Sequence, residues 1–383
     1  MVLAVRSGQS IRSVAQAFGV SKTTIGHWKN HAQGQRLDRV DWNDRPDGTT
    51  KPINRSAAKL EQCVLNLRKQ LKENSPLGEH GADALLREME QRNCPMTPSR
   101  ATVNRMLKRH GQLDGRHRKR FKAPPTGWYL KPLAKKLAEL DQFDCVEDLC
   151  IEGGTTFQVL NAISLHGGLV GSWPMERMTA ENTVRKLIEF WTEFGWPDYA
   201  QFDNSTVFQG SRWSDSLGKV TRCCLSLGVT PVFVPPRETG FQASIESYKG
   251  RWERGVWCRF RFENLKVVQK QSNVYVDATR LKNREQSEAA PCRWMIPKDW
   301  TLDYSVTPKG KVIFIRRVTD EECVEVMGHW WLVPGAGAHK LVRAEVDLTK
   351  NKISFYRLRR REPNVHELMA TAKHHFPNKP FKE

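Results

Sequence analysis

Three acidic residues between Asp141 and Gly255 limit most strongly how this chain can fold. Asp144 ends a strand-like run in Leu-Asp-Gln-Phe-Asp-Cys, and Asp203 ends another in Ala-Gln-Phe-Asp-Asn-Ser. Glu246 lies inside the helix-like stretch Ala-Ser-Ile-Glu-Ser-Tyr. Three carboxylates on separate elements of one compact domain are what a site for two divalent cations about 4 Å apart requires. Mg²⁺ and Mn²⁺ suit such a site because these hard cations take carboxylate oxygens.

The elements around these acids follow a recognisable order. Three strands are predicted first, with glycine pairs at the turns, and helices then alternate with strands. The predicted elements are strands over Phe143–Cys150, Phe157–Ser164 and Leu169–Pro174, a helix over Ala180–Phe194, a strand over Tyr199–Phe202, a helix over Arg212–Leu227, a strand over Thr230–Val234 and a helix over Gln242–Phe260. This is the order of the ribonuclease-H-like α/β fold, in which the first and fourth strands are neighbours. We therefore expect Asp144 to meet Asp203 and the last helix to bring Glu246 over them.

Other carboxylates compete for these roles. Asp148 shares the strand face of Asp144, and its place near the strand end indicates a solvated side chain. Glu238 and Glu253 flank Glu246 along the chain. Glu253 is two helical turns on, about 10 Å away, which is too far to bind the same cation.

These residues resemble the catalytic core of DDE-type insertion-sequence transposases and retroviral-type integrases. In that family the second aspartate usually stands in a Thr-Asp-Asn-Gly-Ser-Glu-Phe box and the glutamate in Asn-Gly-x-Val-Glu-Arg-Phe. This chain has Phe-Asp-Asn-Ser-Thr-Val-Phe and Ala-Ser-Ile-Glu-Ser-Tyr. Between Asp144 and Asp203 lie 58 residues, which is ordinary for the family, and 42 lie between Asp203 and Glu246. The second spacing is longer than usual, which implies an insertion around Gln209–Thr221.

The resemblance implies a DNA transposase with two Mg²⁺ or Mn²⁺ ions in each active site. Asp144 would bridge both ions, and Asp203 and Glu246 would each hold one. Such an enzyme cuts the ends of a mobile element and joins the 3′-hydroxyls to target DNA. The transfer needs no nucleophilic side chain, because positioning and charge neutralisation carry it. The implied partners are double-stranded DNA, both terminal repeats and target, and further copies of the chain on that DNA, with a helper protein left open.

A second interpretation belongs to another functional class. A domesticated transposase with an inactive core would act as a DNA-binding regulator. The Asn204-Ser205 pair after Asp203 favours it, because the family usually has glycine at the second of these positions. The presence of all three acids favours the enzyme.

Composition indicates the partner and the compartment. The chain has 383 residues, enough for two to four domains, with a net charge of +19 and a pI of about 9.7. This charge predicts a polyanionic partner such as DNA. The nine cysteines include no Cys-x-x-Cys pair, which indicates reduced thiols rather than a zinc site or disulfides. Without a signal peptide or an apolar run of about 18 residues, we expect a soluble, cytoplasmic, nucleoid-associated bacterial protein with no membrane partner.

The N-terminal residues carry the pattern of a helix-turn-helix. Ser10 is placed to cap one helix, with Ile11, Val14, Ala15 and Phe18 on its apolar face, and Ser21 to cap a second with Ile25 and Trp28 inward. Gly19 suits the turn between them. The second helix would present to the major groove Lys22, Thr23, Thr24, His27 and Lys29. The alternative is a plain helical hairpin.

A second helical segment follows a polar linker. Helices are predicted from Ser56, over Ala82–Arg92, and over Pro98–Arg109 with Thr97 as cap. The last of these would be a second recognition helix, whose outward residues are Arg100, Asn104, Arg105 and Lys108. A basic run then follows with Arg116, Arg118, Lys119, Arg120 and Lys122. It is either a solvated linker or a strap that contacts phosphates.

The C-terminal part changes to short alternating strands. These are predicted over Lys311–Arg317, Cys323–Met327, His329–Val333, Leu341–Asp347 and Lys352–Leu358. Five such strands predict a small SH3-like β-barrel, and the resemblance supports it. The expected multidomain α+β chain is thus a helix-turn-helix domain (1–34), a linker (35–55), a second helix-turn-helix or winged-helix-like domain (56–112), a basic linker (113–137), the ribonuclease-H-like core (138–265), a connector (266–305), the barrel (306–363) and a loose tail (364–383).

Overall fold

The computed structural model of the protein describes residues 1–43, 56–113, 124–210, 217–236, 238, 240–376 and 381. The chain divides into two compact units, Met1–Leu60 and Glu61–Glu383. In the described part of the chain, none of the helices has the length and apolar character needed to cross a bilayer.

The first unit contains three short helices, which pack on one another. They are α1 (Val2–Arg6), α2 (Ile11–Phe18) and α3 (Lys22–His31). Ser10 and Ser21 cap α2 and α3, each accepting a hydrogen bond from the backbone N–H three residues on. Gly19 ends α2 in the left-handed region with φ of 63°. The caps and the turn agree with the sequence, but Phe18 is 55% exposed and does not join the core as predicted.

The remaining helices begin at the boundary between the units. They are α4 (Ala58–Asn74), α5 (Ala82–Gln91), α6 (Arg100–Arg109), α7 (Lys131–Ala134), α8 (Ala180–Phe194), α9 (Thr206–Gln209), α10 (Lys219–Ser226), α11 (Ala243–Trp252), α12 (Leu265–Lys282) and α13 (Arg284–Glu288). A π-helical turn, Glu253–Trp257, continues α11. The cap of α6 is Ser99, not Thr97, because the Ser99 side chain accepts the bond from the backbone N–H of Thr102.

Eleven strands lie in the described ranges, and nine of them form one mixed sheet. The strands are β1 (Leu140–Cys150), β2 (Thr156–Ser164), β3 (Val170–Met175), β4 (Tyr199–Phe202), β5 (Thr230–Phe233), β6 (Lys311–Arg317), β7 (Cys323–Val326), β8 (His329–Leu332), β9 (Leu341–Asp347), β10 (Lys352–Arg357) and β11 (Leu368–Lys373). Their order is β11-β10-β9-β6-β5-β4-β1-β2-β3, with β7 and β8 as a separate hairpin. Since β1 pairs in parallel with β4 and antiparallel with β2, the predicted neighbours are confirmed.

The C-terminal strands do not form the separate barrel that the sequence predicts. β6 pairs in parallel with β5 through Ile313 and Phe314, and β9, β10 and β11 continue the sheet outward. Phe314 stacks on Phe233 of β5, with ring centroids 5.1 Å apart. The physical reason is that β5 would otherwise leave an unpaired edge. The tail predicted to be loose supplies β11, the outermost strand on this side.

Helices cover both faces of the central strands. On one face α8 and α10 pack on β1 and β4 around Phe143, Phe202 and Trp191. On the other face α11 packs on β1 and β2 and α12 packs on β3, with Ile245 and Trp252 buried. Strand alternation therefore directs Asp144 toward α11, since it is one residue beyond Phe143.

Candidate active site

Both aspartate-bearing strands carry the same tripeptide, Gln-Phe-Asp, which lies inside β1 and at the end of β4. Gln142 of β1 is aligned with Gln201 of β4 in the parallel register, so Asp144 lies beside the point where β4 ends and Asp203 follows. The two phenylalanines of the tripeptides stack on the α8 face, with ring centroids 5.4 Å apart. Because side chains alternate, the glutamines and aspartates occupy the face that α11 covers.

The two glutamines anchor the start of α11. Gln142 Oε1 accepts a hydrogen bond from the backbone N–H of Ile245 at 3.1 Å, and its Nε2 donates to the Phe241 carbonyl at 3.1 Å. Gln201 Nε2 donates to the same carbonyl at 3.1 Å, and its Oε1 accepts from the Tyr129 hydroxyl. Both glutamine side chains are buried. The candidate glutamate, which follows Ile245, is thus carried by a helical turn fixed to both aspartate strands.

Asp144 is largely enclosed and ion-paired with a lysine of α11. Lys249 Nζ lies 2.8 Å from Asp144 Oδ2 and 2.7 Å from the Cys145 carbonyl oxygen. The Cys145 backbone N–H donates to Asp144 Oδ1 at 2.8 Å. Burial raises the pKa of Asp144, Lys249 opposes that rise, and the negative charge of Asp203 adds to it. The Lys249 ammonium group therefore lies where its positive charge offsets part of the negative charge of Asp144 and Asp203.

The loop after Asp203 is held by the C-terminal part of the sheet. Asp203 Oδ1 accepts from the Ser205 backbone N–H at 2.8 Å. Asn204 Nδ2 donates to the Val234 carbonyl at 2.6 Å, and Asn204 Oδ1 accepts from Arg316 of β6 at 2.9 Å. Ser205 has φ of −65° and ψ of 152°, an extended conformation open to any residue. Serine in place of glycine therefore causes no backbone strain here.

Glu246 is exposed on α11, one helical turn before Lys249. Within the described ranges, no three carboxylate, histidine or cysteine side chains converge closely enough to hold a metal ion. The predicted convergence of all three acids is therefore not seen, and their shared role stays a prediction. The donor set nevertheless suits Mg²⁺, since Asp144 and a backbone carbonyl already surround a cationic group. The alternative Glu238 is ion-paired with two arginines of the C-terminal segment.

Residues that sequence reasoning missed include Lys249, Gln142 and Gln201. A usable signal for the glutamines is the Gln-Phe-Asp tripeptide, which is repeated in two strands that the sequence predicts to be neighbours. Lys249 stands one helical turn after Glu246 and so lies on the same side of α11. This spacing could have placed it beside the acids, but nothing in the sequence identifies Asp144 as its partner.

The predicted recognition helix α3 presents most of its proposed DNA-reading residues to solvent. Lys22, Thr23, His27 and Lys29 are exposed. Thr24 is half-buried, and its hydroxyl lies 2.8 Å from that of Ser21, so it takes part in the cap. Four side chains are thus placed for contact with a ligand, and DNA reading by them stays a prediction.

The predicted residues of α6 are also largely accessible. Arg100, Arg105 and Lys108 are exposed, and Asn104 is half-buried. Arg100 forms an ion pair with Asp83 of α5 at 2.9 Å. The basic run lies outside the residues that the structure describes, and its members are Arg116, Arg118, Lys119, Arg120 and Lys122.

Comparison with known proteins gives a limited result. No protein-family model and no curated protein sequence matches the chain. A chain in the cryo-EM structure of the simian T-cell lymphotropic virus intasome with PP2A regulatory subunit B56 gamma is similar at 13% identity and TM-score 0.35, over 74% of this chain and 97% of that one. The HTLV-2 integrase catalytic core with magnesium is similar at 13% identity and TM-score 0.27, over 42% and 88% of the two chains. The catalytic core domain of BIV integrase is similar at 16% identity and TM-score 0.28, over 36% of this chain and 80% of that one. These values are too low to assign a family or a function.

Proposed function

We propose that the protein is a DNA transposase that acts by divalent-metal-dependent phosphoryl transfer. The observation that carries the proposal is the pair of aligned Gln-Phe-Asp segments of β1 and β4, with α11 anchored above them. This arrangement sets two carboxylates side by side and carries a third acid on the covering helix. A net charge of +19 and two exposed, basic helix surfaces support DNA as the substrate.

Asp144, Asp203 and Glu246 would hold the cations, which supply charge neutralisation and activation of the attacking oxygen. Asp144 and Asp203 are positioned by strand pairing, and Gln142 and Gln201 fix the turn from which Glu246 projects. Rotation of the exposed Glu246 side chain would complete the set. Enclosure by α11 limits water around Asp144, which strengthens electrostatic interactions at the reacting phosphate.

The second candidate is a regulator that binds DNA without cutting it. The observation that favours it is the Lys249–Asp144 ion pair, which satisfies the first aspartate without a metal. The relaxed backbone at Ser205 counts against it, because the departure from the glycine-containing box does not distort the site.

As an enzyme, the protein would act as a homo-oligomer on paired DNA ends, which light scattering with and without DNA would test.

The deciding experiment is nicking of supercoiled plasmid in Mn²⁺ or Mg²⁺, together with strand transfer of labelled oligonucleotides. We expect Asp144→Asn and Asp203→Asn to lower the rate at least about 10²-fold, the scale of removing one electrostatic interaction with a transition state. Asp148→Asn is the matched control, since Asp148 is exposed on the same strand. Wild-type protein that binds DNA but never cuts it would favour the regulator. Equal nicking by wild type and Asp144→Asn would refute the assigned site.

A further inference from the structure

A groove in the second unit lies on the other flank of α11 from the candidate active site. We call it the basic groove. Its volume is about 700 Å³, and its walls are the loop Leu77–Gly81, α5, the π-helical turn and α12. Arg251 lines it, and Arg251 is two residues from Lys249, a spacing that places side chains on opposite sides of a helix. The groove is therefore separate from the aspartate pair.

Close packing and ion pairs fix the width of the basic groove. Gly255 of the π-helical turn approaches the Leu77–Gly81 loop so closely that a Cβ there would lie 3.0 Å from the Leu77 carbonyl oxygen and 2.6 Å from Tyr275. Glu79 forms ion pairs at 2.5 Å with both Arg87 and Lys282, which joins the loop to α5 and α12. The walls are thus held by packing before any ligand binds.

The charges in the groove are not balanced. Glu79 is shared between two cations, and Asp83 is ion-paired with Arg100. Arg251 and Arg254 line the groove and have no ion pair with any residue in the described ranges. Two guanidinium groups without a counter-charge therefore line the groove.

We propose that the basic groove binds the phosphodiester backbone of DNA at a second position, outside the active site. This inference rests on the proposed function, in which DNA is the substrate. Arginine suits a phosphate because its planar fork donates two parallel hydrogen bonds to phosphate oxygens. The groove is bounded by α5 on one side and by the continuation of α11 on the other. A duplex held by α6 and cut at Asp144 would be gripped between these points.

The test uses two double variants of the full chain with the same change in charge. Arg251→Gln/Arg254→Gln removes the two groove cations that have no ion pair, and Lys266→Gln/Lys270→Gln removes two exposed lysines of α12 outside the groove. Fluorescence anisotropy with a random-sequence duplex at several salt concentrations gives the slope of log K against log[salt]. We expect the magnitude of this negative slope to be smaller in the groove variant, by about 0.9 for each phosphate that its arginines no longer neutralise. A groove variant whose slope falls no further than that of the control would overturn the proposal.

A second measurement covers the chance that the double variant fails to fold. The single variant Arg254→Gln changes an exposed residue, and its slope should fall by about 0.9, the value for one phosphate. In the wild type, phenylglyoxal labelling followed by mass spectrometry should show protection of Arg251 and Arg254 by duplex DNA. Protection by polyglutamate but not by DNA would overturn the proposal and indicate an acidic protein as ligand. Asp144-dependent nicking, measured in parallel, reports on the proposed function separately.

Discussion

Asp141 and Asp144 lie on opposite faces of strand β1 and differ in burial and in their hydrogen-bond partners. On the α8 face, Asp141 is fully buried, receives two hydrogen bonds from Arg293 at 2.9 and 2.6 Å, and accepts a third from Trp191 at 2.8 Å. On the α11 face, three residues along, Asp144 retains some exposure and its one side-chain partner among the described residues is Lys249. The first carboxylate is held by rigid, fully paired donors. The second is paired with one flexible lysine side chain.

The largest expected effect comes from breaking the buried ion pair. Asp141→Asn would leave the Arg293 guanidinium buried without a counter-charge, which should cost about 3–5 kcal/mol of the free energy of unfolding. Urea denaturation measures this. Asp148→Asn, on the exposed part of the same strand, should change stability by less than about 0.5 kcal/mol. If Asp141→Asn lowers the free energy of unfolding no more than this control does, Asp141 is not locked into the core and the contrast with Asp144 is lost.

The next effect concerns the glutamine that anchors α11. Gln142→Leu leaves the Ile245 N–H without this partner, and one unsatisfied group costs about 1–3 kcal/mol, whereas the Phe241 carbonyl keeps its hydrogen bond from Gln201. If the glutamine positions Glu246, Mn²⁺ affinity should fall as well. Gln158→Leu is the matched control, because Gln158 of β2 accepts one hydrogen bond from the backbone N–H of Met178, in the segment between β3 and α8. Equal Mn²⁺ affinity in both variants would show that Gln142 is only structural.

A smaller effect should follow from removing the lysine at Asp144. In Lys249→Gln no ammonium competes for Asp144 Oδ2, so Mn²⁺ should bind about tenfold more tightly, or about 1.4 kcal/mol. Electron paramagnetic resonance of free Mn²⁺ measures the affinity without reference to activity. Lys270→Gln removes the same charge from an exposed site on α12 and should leave the affinity nearly unchanged. Weaker Mn²⁺ binding in Lys249→Gln would show that the lysine supports the site.

The smallest effect is the pH dependence of stability without metal. The pKa of Asp144 is raised in the folded state, chiefly by burial, so the folded protein holds this proton more strongly than the unfolded chain does. The contribution of Asp144 to stability should therefore fall as pH rises above its ordinary pKa of about 3.9. Wild type should lose stability relative to Asp144→Asn over that range, measured by denaturation in EDTA. A relative gain with rising pH would mean that the attraction of Lys249 outweighs burial.

The local sequence was enough to predict most of the core. Hydrophobic alternation placed β1 to β5 to within a few residues, and serine caps marked the starts of α2 and α3. The order of strands predicted that β1 and β4 are neighbours, and hence that Asp144 and Asp203 meet. These features depend on short-range periodicity and on connection rules that operate between consecutive elements.

What the sequence could not predict depends on interactions between distant residues. The strand pattern at β6, β9 and β10 is the same for a separate barrel and for an extension of the sheet, and only the free edge of β5 decided between them. The partners of the two aspartates are equally remote: Lys249 lies 105 residues from Asp144, and Arg293 lies 152 residues from Asp141. Asp141 and Asp144 lie in the same strand and have similar local signatures. Their tertiary partners alone determine that the first is locked into the core and that the second is paired with one flexible side chain.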